Sequence, residues 1–175
     1  MAQIQTLISA EEIDAALERM GAGITRDYQG KSLLIVGVLK GAFMVMADLA
    51  RHIDLPVEFD FMAVSSYGAS TQTSGVVRIL KDLDEEIAGR HVLIVEDIID
   101  SGLTLNYLLK SLRVRKPDSL EVAALLVKQG IQRVDLDVRY TGFEIGPEFV
   151  VGYGLDYAGK YRNLPYVGVL DSSTL

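Results

Sequence analysis

Apolar and polar positions follow two periods along the chain, and the switches between them mark out the elements. Ser9-Ala-Glu-Glu12 has the form of a capping box. Ile13, Leu17 and Met20 then recur at helical spacing, which predicts an opening helix with Gly21 and Gly23 as its stop signals. Ser32 to Leu39 is a continuous apolar run of strand length, the pattern of a strand buried on both faces in a parallel sheet. It breaks at Lys40-Gly41, after which Ala42 to Ile53 carries helix periodicity. Val57 to Val64 and Val76 to Leu80 read as strands, separated by Ser65 to Gly75, an uncharged stretch of Ser, Thr, Gly, Ala, Gln and one Tyr. His91 to Val95 is a short buried strand, followed by Glu96 to Leu103 as a loop and Thr104 to Arg113 as a helix. Glu121 to Val127 repeats the buried-strand pattern, and Phe149 to Tyr153 and Tyr166 to Leu170 are shorter strands. Strands alternating with helices predict an α/β fold with a central, mostly parallel sheet flanked by helices. Such sheets bind ligands in the crevice beyond the carboxyl ends of their strands. The turns at Lys40, Glu96 and Lys128 are therefore expected to open on one common edge.

At 175 residues, the chain is expected to form a single domain, 1–175. It contains no Cys, which excludes disulfides, thiolate metal sites and cysteine nucleophiles together. The longest apolar stretches break at Lys40, Asp48 and Glu96, short of the ~18 residues a membrane span needs. Met1 to Ser9 lacks a basic patch followed by an apolar run, so no export signal is expected. Lys and Arg number 17 against 24 Asp and Glu, and the resulting formal charge of −7 argues against a polynucleotide partner. A cytoplasmic enzyme or binding protein, with neither membrane nor nucleic acid as partner, remains.

The segment richest in chemistry is Val92-Leu-Ile-Val-Glu-Asp-Ile-Ile-Asp-Ser-Gly-Leu-Thr104. An apolar strand ends in two carboxylates, Glu96 and Asp97, and Asp100-Ser-Gly-Leu-Thr104 then leads into a helix. Those five residues make an anion cradle. Gly102 permits a tight turn, free N–H groups point inward, and the helix N-terminus adds partial positive charge. Ser101 and Thr104 can each donate a hydroxyl. The simplest alternative, that Asp100 or Ser101 merely caps the helix, leaves Glu96 and Asp97 unexplained. Carboxylates beside a phosphate repel it unless they serve another part of the ligand or hold a cation, and ribose hydroxyls and Mg²⁺ are natural candidates. Neither a Walker loop nor a Rossmann glycine fingerprint is present.

Val92 to Thr104 resembles the phosphoribosyl-pyrophosphate (PRPP) motif of type I phosphoribosyltransferases, and its Glu-Asp-Ile-Ile-Asp-Ser-Gly form resembles the hypoxanthine/guanine branch. The likeness extends from about Leu34 to Leu170. It includes Leu39-Lys-Gly41, Ser66-Tyr-Gly68, Lys128, and Phe149-Val-Val-Gly-Tyr-Gly-Leu-Asp-Tyr157 with Tyr161-Arg162. Ser101 stands where many relatives carry Thr, which keeps the hydroxyl. Ile145-Gly-Pro-Glu148 departs from the family's Ile-Pro-Asp-Lys pattern.

The resemblance implies the type I fold, with a small hood contributed by the N-terminal and C-terminal segments. It implies transfer of ribose 5-phosphate from PRPP to N9 of a 6-oxopurine, yielding a purine nucleoside monophosphate and pyrophosphate in purine salvage. On that pattern Ser101, Gly102, Leu103 and Thr104 bind the 5-phosphate, and Glu96 and Asp97 sit at the ribose hydroxyls and a Mg²⁺. Asp100 accepts a proton at N7 of the base. Lys128 donates to O6, Phe149 stacks on the base, and the Val150 backbone addresses its 2-position edge. Asp156 helps hold a second Mg²⁺, and Arg162 contacts pyrophosphate. Lys40-Gly41 lets its backbone approach an anion closely, with a non-proline cis peptide implied at that position. Ser66 and Tyr67 belong to a closing loop that shields the reacting carbon. Relatives form homodimers and homotetramers.

Without the resemblance several of these residues read more plainly. A lysine at a strand end is usually a solvated snorkel, Phe149 and Val150 would be core residues, and Arg162 a surface ion pair. Tyr153, Tyr157, Tyr161 and Tyr166 suit packing or subunit contact. Asp82 to Glu86 reads as a solvated turn, and Lys110, Arg113, Arg115 and Lys116 as cations at a helix end. His52 and His91 lack ligand spacing. Two rivals stay open. One is a PRPP-sensing regulator that binds nucleic acid, which would need a basic face. The other is a pyrimidine-specific relative, against which Lys128 and Phe149-Val150 speak.

Overall fold

Strand β1 (Ile4–Ile8) leads into helix α1 (Ala10–Asp27) through the capping box. The Ser9 hydroxyl accepts from the Glu12 N–H at 3.2 Å, and the Glu12 carboxylate accepts from the Ser9 N–H at 2.8 Å. The helix does not stop at Gly21 or Gly23. A Cβ on Gly21 would lie 2.5 Å from both Cβ and the carbonyl oxygen of His52, so this glycine is a point of close packing rather than a terminator. Replacing Ser9 by Ala removes one half of the box. It should lower stability by about 1 kcal/mol, seen as a lower urea midpoint at unchanged slope with activity retained.

The computed structural model describes residues 4–66 and 77–171. After α1 come β2 (Leu33–Leu39), α2 (Phe43–Arg51), β3 (Val57–Ser66), β4 (Val77–Lys81), β5 (His91–Ile99) and α3 (Leu103–Arg113). Strands β6 (Ser119–Lys128), β7 (Tyr140–Ile145), β8 (Val150–Val151) and β9 (Val167–Leu170) complete the chain. Six strands form one sheet in the order β4-β3-β2-β5-β6-β7, parallel throughout except for the β3–β4 pair. The remaining three form a small antiparallel sheet, β1-β9-β8, which joins the two ends of the chain. Two of these strands, β1 and β7, carry no clear sequence signal. β1 is exposed along most of its length, and β7 is an edge strand interrupted by Gly142, where a Cβ would sit 2.5 Å from the Leu125 carbonyl oxygen.

The apolar runs behave as buried parallel strands should. Leu33 and Ile35 of β2 join the core shared with α1 and α2, while Leu34, Val36 and Val38 join the core shared with α3. β5 divides in the same way, with Leu93 and Val95 on one side and Val92 and Ile94 on the other. From β2 the chain proceeds through α2 outward to β3; from β5 it proceeds through α3 in the opposite direction to β6. The junction of β2 and β5 is therefore the topological switch point, where open α/β sheets hold their ligands. Among the described residues no helix is long and apolar enough to cross a membrane.

Candidate active site

The switch point opens because two neighbouring strands choose different partners. β2 pairs with β5 only as far as Gly37 opposite Val95, then stays with β3 through Leu39 opposite Ala63. β5 meanwhile continues along β6, with Glu96 opposite Ala124 and Ile99 opposite Val127. Glu96 to Ile99 is thus strand rather than the expected loop, because β6 supplies a ladder that local sequence does not reveal. The gap between the parting strands is a cavity of about 170 Å³ lined by Val38, Glu96, Ile98, Ile99, Asp100, Ser101, Gly102, Thr104 and Leu105.

Its floor is the start of α3. The N-cap is Gly102 at φ 79°, which has no side chain of its own to cap the helix. The capping alternative holds for Ser101 alone: its Oγ accepts from the Leu103 N–H at 3.4 Å, whereas the Asp100 carboxylate turns to Lys128. First-turn N–H groups of a helix have no intrahelical acceptor and so face the cavity available for an anion. The β6–β7 connection braces the turn from behind. The Arg133 N–H donates to the Ser101 carbonyl at 2.9 Å, and a Cβ on Gly102 would meet Leu136 at 2.6 Å.

Strand alternation sends the two adjacent carboxylates to opposite sides. Glu96 lines the cavity on the α3 side, whereas Asp97 lies against the Lys40–Gly41 turn, where a Cβ on Gly41 would fall 1.7 Å from Asp97 Oδ2. The cis peptide is Leu39–Lys40, one bond earlier than expected. Gly41 is in turn overlaid by Gly154, whose Cβ would fall 2.2 Å from the Gly41 carbonyl oxygen. Burial pushes the Glu96 carboxyl well above its usual range, and the charge of Asp97 adds to it. Burial also raises Asp97, to about 6, against the opposing pull of its backbone hydrogen bonds and Arg162.

At the far wall, Lys128 ends β6 as a buried residue, not a solvated strand end, and its Nζ pairs with Asp100 Oδ1 at 3.0 Å. The Gln129 N–H donates to the Ile145 carbonyl at 2.9 Å, which holds the ends of β6 and β7 together just before Phe149. Phe149 is not core: it is 40% exposed and meets Tyr157 edge-on, with ring centroids 5.9 Å apart. Val150 is buried in β8. Arg162 Nη2 pairs with Asp156 Oδ1 at 2.9 Å, and its Nη1 donates to the Gly154 carbonyl. The Gly159 N–H donates to the other Asp156 oxygen at 2.7 Å. Ser66 ends β3, and Tyr67 with the rest of the expected closing loop, up to Gly75, lies outside the described residues.

Residues 7–158 match the family model described as phosphoribosyl transferase domain. The chain belongs to that family. It is 54% identical over 166 residues to a hypoxanthine-guanine phosphoribosyltransferase of Bacillus subtilis (strain 168), covering 95% of this chain and 92% of that one. A hypoxanthine-guanine phosphoribosyltransferase of Mycobacterium avium is 54% identical over 171 residues, covering 94% and 84%. The structure resembles the tetragonal crystal structure of a hypoxanthine phosphoribosyltransferase from Staphylococcus aureus, with TM-score 0.94, 46% identity, and coverage of 97% and 92%.

For this phosphoribosyl transferase domain the metal question turns on the donor set. Among the described residues no three His or carboxylate groups gather into a cage. Glu96, buried, and Asp97, half-buried, nevertheless offer hard oxygen donors that are charged only at a cost, and Mg²⁺ typically binds through one or two carboxylates plus substrate oxygens. They fit that ion. Asp156 keeps 32% of its side chain exposed beside Arg162, which leaves lone pairs for a second ion. The raised carboxyls also set a pH dependence. A native carboxyl at about 6 against 3.8 in an open chain binds the extra proton in the folded state, so stability falls as pH rises through that window. Thermal melts from pH 4 to 7 should show this fall in the wild type and a flatter profile in Asp97→Asn.

Two contributors escaped the sequence reading. Gly154 stood inside a recognised run without a role, and its overlap with Gly41 follows only from tertiary contact. Tyr153 was expected to pack, and it is buried, but its hydroxyl also donates to Asp48. The glycines flanking Tyr153 were the one available signal.

Proposed function

We propose that this protein transfers the 5-phosphoribosyl group of PRPP to N9 of a 6-oxopurine, hypoxanthine or guanine, forming IMP or GMP and pyrophosphate. The observation that carries the reading is the cradle at Gly102 facing the buried carboxylate of Glu96 on β5, with the Lys128–Asp100 pair at its rim. The 5-phosphate sits on the N–H groups of Ser101 to Thr104, and Glu96 and Asp97 hold the ribose hydroxyls. The purine lies against Phe149, with Lys128 donating to O6 and the Val150 backbone at the 2-position edge. The N9 lone pair attacks the anomeric carbon as the bond to pyrophosphate breaks, its electrons leaving on the pyrophosphate oxygen. Asp100 takes the proton that the purine loses at N7. Arg162 and the Lys40–Gly41 turn hold pyrophosphate, for which a planar multidentate guanidinium is well suited. Ser66 and Tyr67 exclude water from the oxocarbenium-like carbon. Glu96 and Asp97 would hold a Mg²⁺ ion and Asp156 a second, which would supply positive charge against that of the leaving pyrophosphate.

Residues 1–175 act as one phosphoribosyltransferase domain, with the β1-β9-β8 sheet as its hood, in the cytoplasm where phosphorylated sugars are kept. The protein works as a homodimer or homotetramer. Phe43, Phe59 and Phe61, all partly exposed, border a groove of about 580 Å³ that offers an apolar face to a second copy. Incubation with PRPP, Mg²⁺ and each purine separately, followed by chromatography of nucleotides, tests the activity. Hypoxanthine and guanine should yield product and adenine none; no product from any 6-oxopurine would overturn the reading.

A further inference from the structure

Pyrophosphate binding, on the reading above, requires two distant segments to meet: the Lys40–Gly41 turn, and residues 152–164 with Asp156 and Arg162. They touch through glycine backbones, Gly154 on the Gly41 carbonyl oxygen and Gly41 on Asp97. Neither glycine has a side chain with which to hold that register. A polar tie does cross between the two segments. The Tyr153 hydroxyl donates to Asp48 Oδ2 on α2, the helix that begins just after Gly41, and Arg51 Nη1 steadies the other Asp48 oxygen at 2.8 Å.

Tyr153 is placed with care. It is 8% exposed and sits at φ +50°, in the left-handed region that a bulky side chain seldom enters. Its N–H donates to the Leu164 carbonyl and the Gly154 N–H to the Arg162 carbonyl, both at 2.9 Å. The ring thus sits at the root of the segment that carries Arg162, next to the glycine that meets Gly41. Burial pushes the hydroxyl pKa up, which keeps it a donor. Packing alone would be served equally well by phenylalanine, so the hydroxyl needs its own explanation.

We propose that the Tyr153–Asp48 hydrogen bond is a positioning device that sets how closely Gly154 approaches Gly41, and so the spacing of the pyrophosphate-holding groups on the two segments. The inference rests on the phosphoribosyl-transfer reading of the site. Both residues act through the segments they join.

Tyr153→Phe keeps the ring and removes the tie. Its KM for PRPP and the inhibition constant of pyrophosphate should rise about tenfold, the scale of one charge-assisted hydrogen bond, while KM for hypoxanthine stays within about twofold. Asp48→Asn retains a carbonyl oxygen that can accept from the tyrosine and should preserve the PRPP KM, whereas Asp48→Ala should follow Tyr153→Phe. Should Tyr153→Phe prove unfolded, the Asp48 pair carries the same comparison. An unchanged PRPP KM, or a loss spread equally over both substrates, would overturn the proposal. Calorimetry with PRPP and Mg²⁺ reads the difference without turnover. An inactive wild type that still binds PRPP about tenfold more tightly than the variant would sink the catalytic reading and keep the tie. Equal affinities would sink the tie.

Discussion

Asp100→Ala should lower turnover with hypoxanthine by roughly 10²–10⁴ while PRPP affinity changes far less. The expectation comes from how the three carboxylates of this segment are placed. Glu96 is buried in the cavity wall and Asp97 is half-buried against Gly41, and both are positioned to meet hydroxyls or a cation. Asp100 lies beyond the end of β5, more than half exposed, with Lys128 Nζ 3.0 Å from its carboxylate. On the proposed reading it stands open to the same base that Lys128 would read. Because it does not cap α3, its loss leaves the phosphate cradle intact. Steady-state kinetics for kcat, together with calorimetry for PRPP, separate the two effects. Asp100→Asn, which keeps the shape and loses the basicity, should be nearly as impaired as the alanine variant. Turnover near that of the wild type would remove Asp100 from the chemistry.

The second large effect concerns which purine is accepted. Lys128 presents only donors, and its ammonium is buried at the end of β6. A 6-oxopurine offers an acceptor there, whereas adenine offers an amino donor, so donor would face donor with no water to intervene. Sites built on such a buried hydrogen bond discriminate by ~10⁴ or more. Lys128→Gln carries both a donor and an acceptor, and should bring the ratio of kcat/KM for hypoxanthine over adenine down by two orders of magnitude or more, as ~1–3 kcal/mol per unpaired buried group implies when both partners are affected. Competition assays with the two bases measure the ratio directly. An unchanged ratio would show that O6 is read by another group.

These expectations draw unequally on sequence and structure. The cradle from Asp100 to Thr104 was readable because its chemistry is local: glycine, hydroxyls and a helix start within five residues. The buried strands at Ser32 to Leu39 and His91 to Val95 were readable because burial on both faces demands uninterrupted apolar runs, which few other structures tolerate. Gly21 and Gly23 misled, since a glycine inside a helix looks like a terminator until the neighbour that requires it, here His52, is in place. The extension of β5 through Ile99 was equally hidden, because Glu96 and Asp97 pair with β6 through backbone groups that every residue carries.

Local chemistry, then, was written in the order of residues: an α/β chain, a glycine turn with hydroxyls at a helix start, two carboxylates before it, a lysine at a strand end. What awaited the folded chain was every relation between segments distant in sequence. The parting of β2 from β5, the opposite facing of Glu96 and Asp97, the Lys128–Asp100 pair and the stacking of Gly154, Gly41 and Asp97 all belong to that class. Periodicity reports which face of an element is buried, but it carries no record of which partner buries it. Partners are selected by the summed packing and hydrogen bonding of the whole sheet, and the site is assembled only where those selections bring its pieces together.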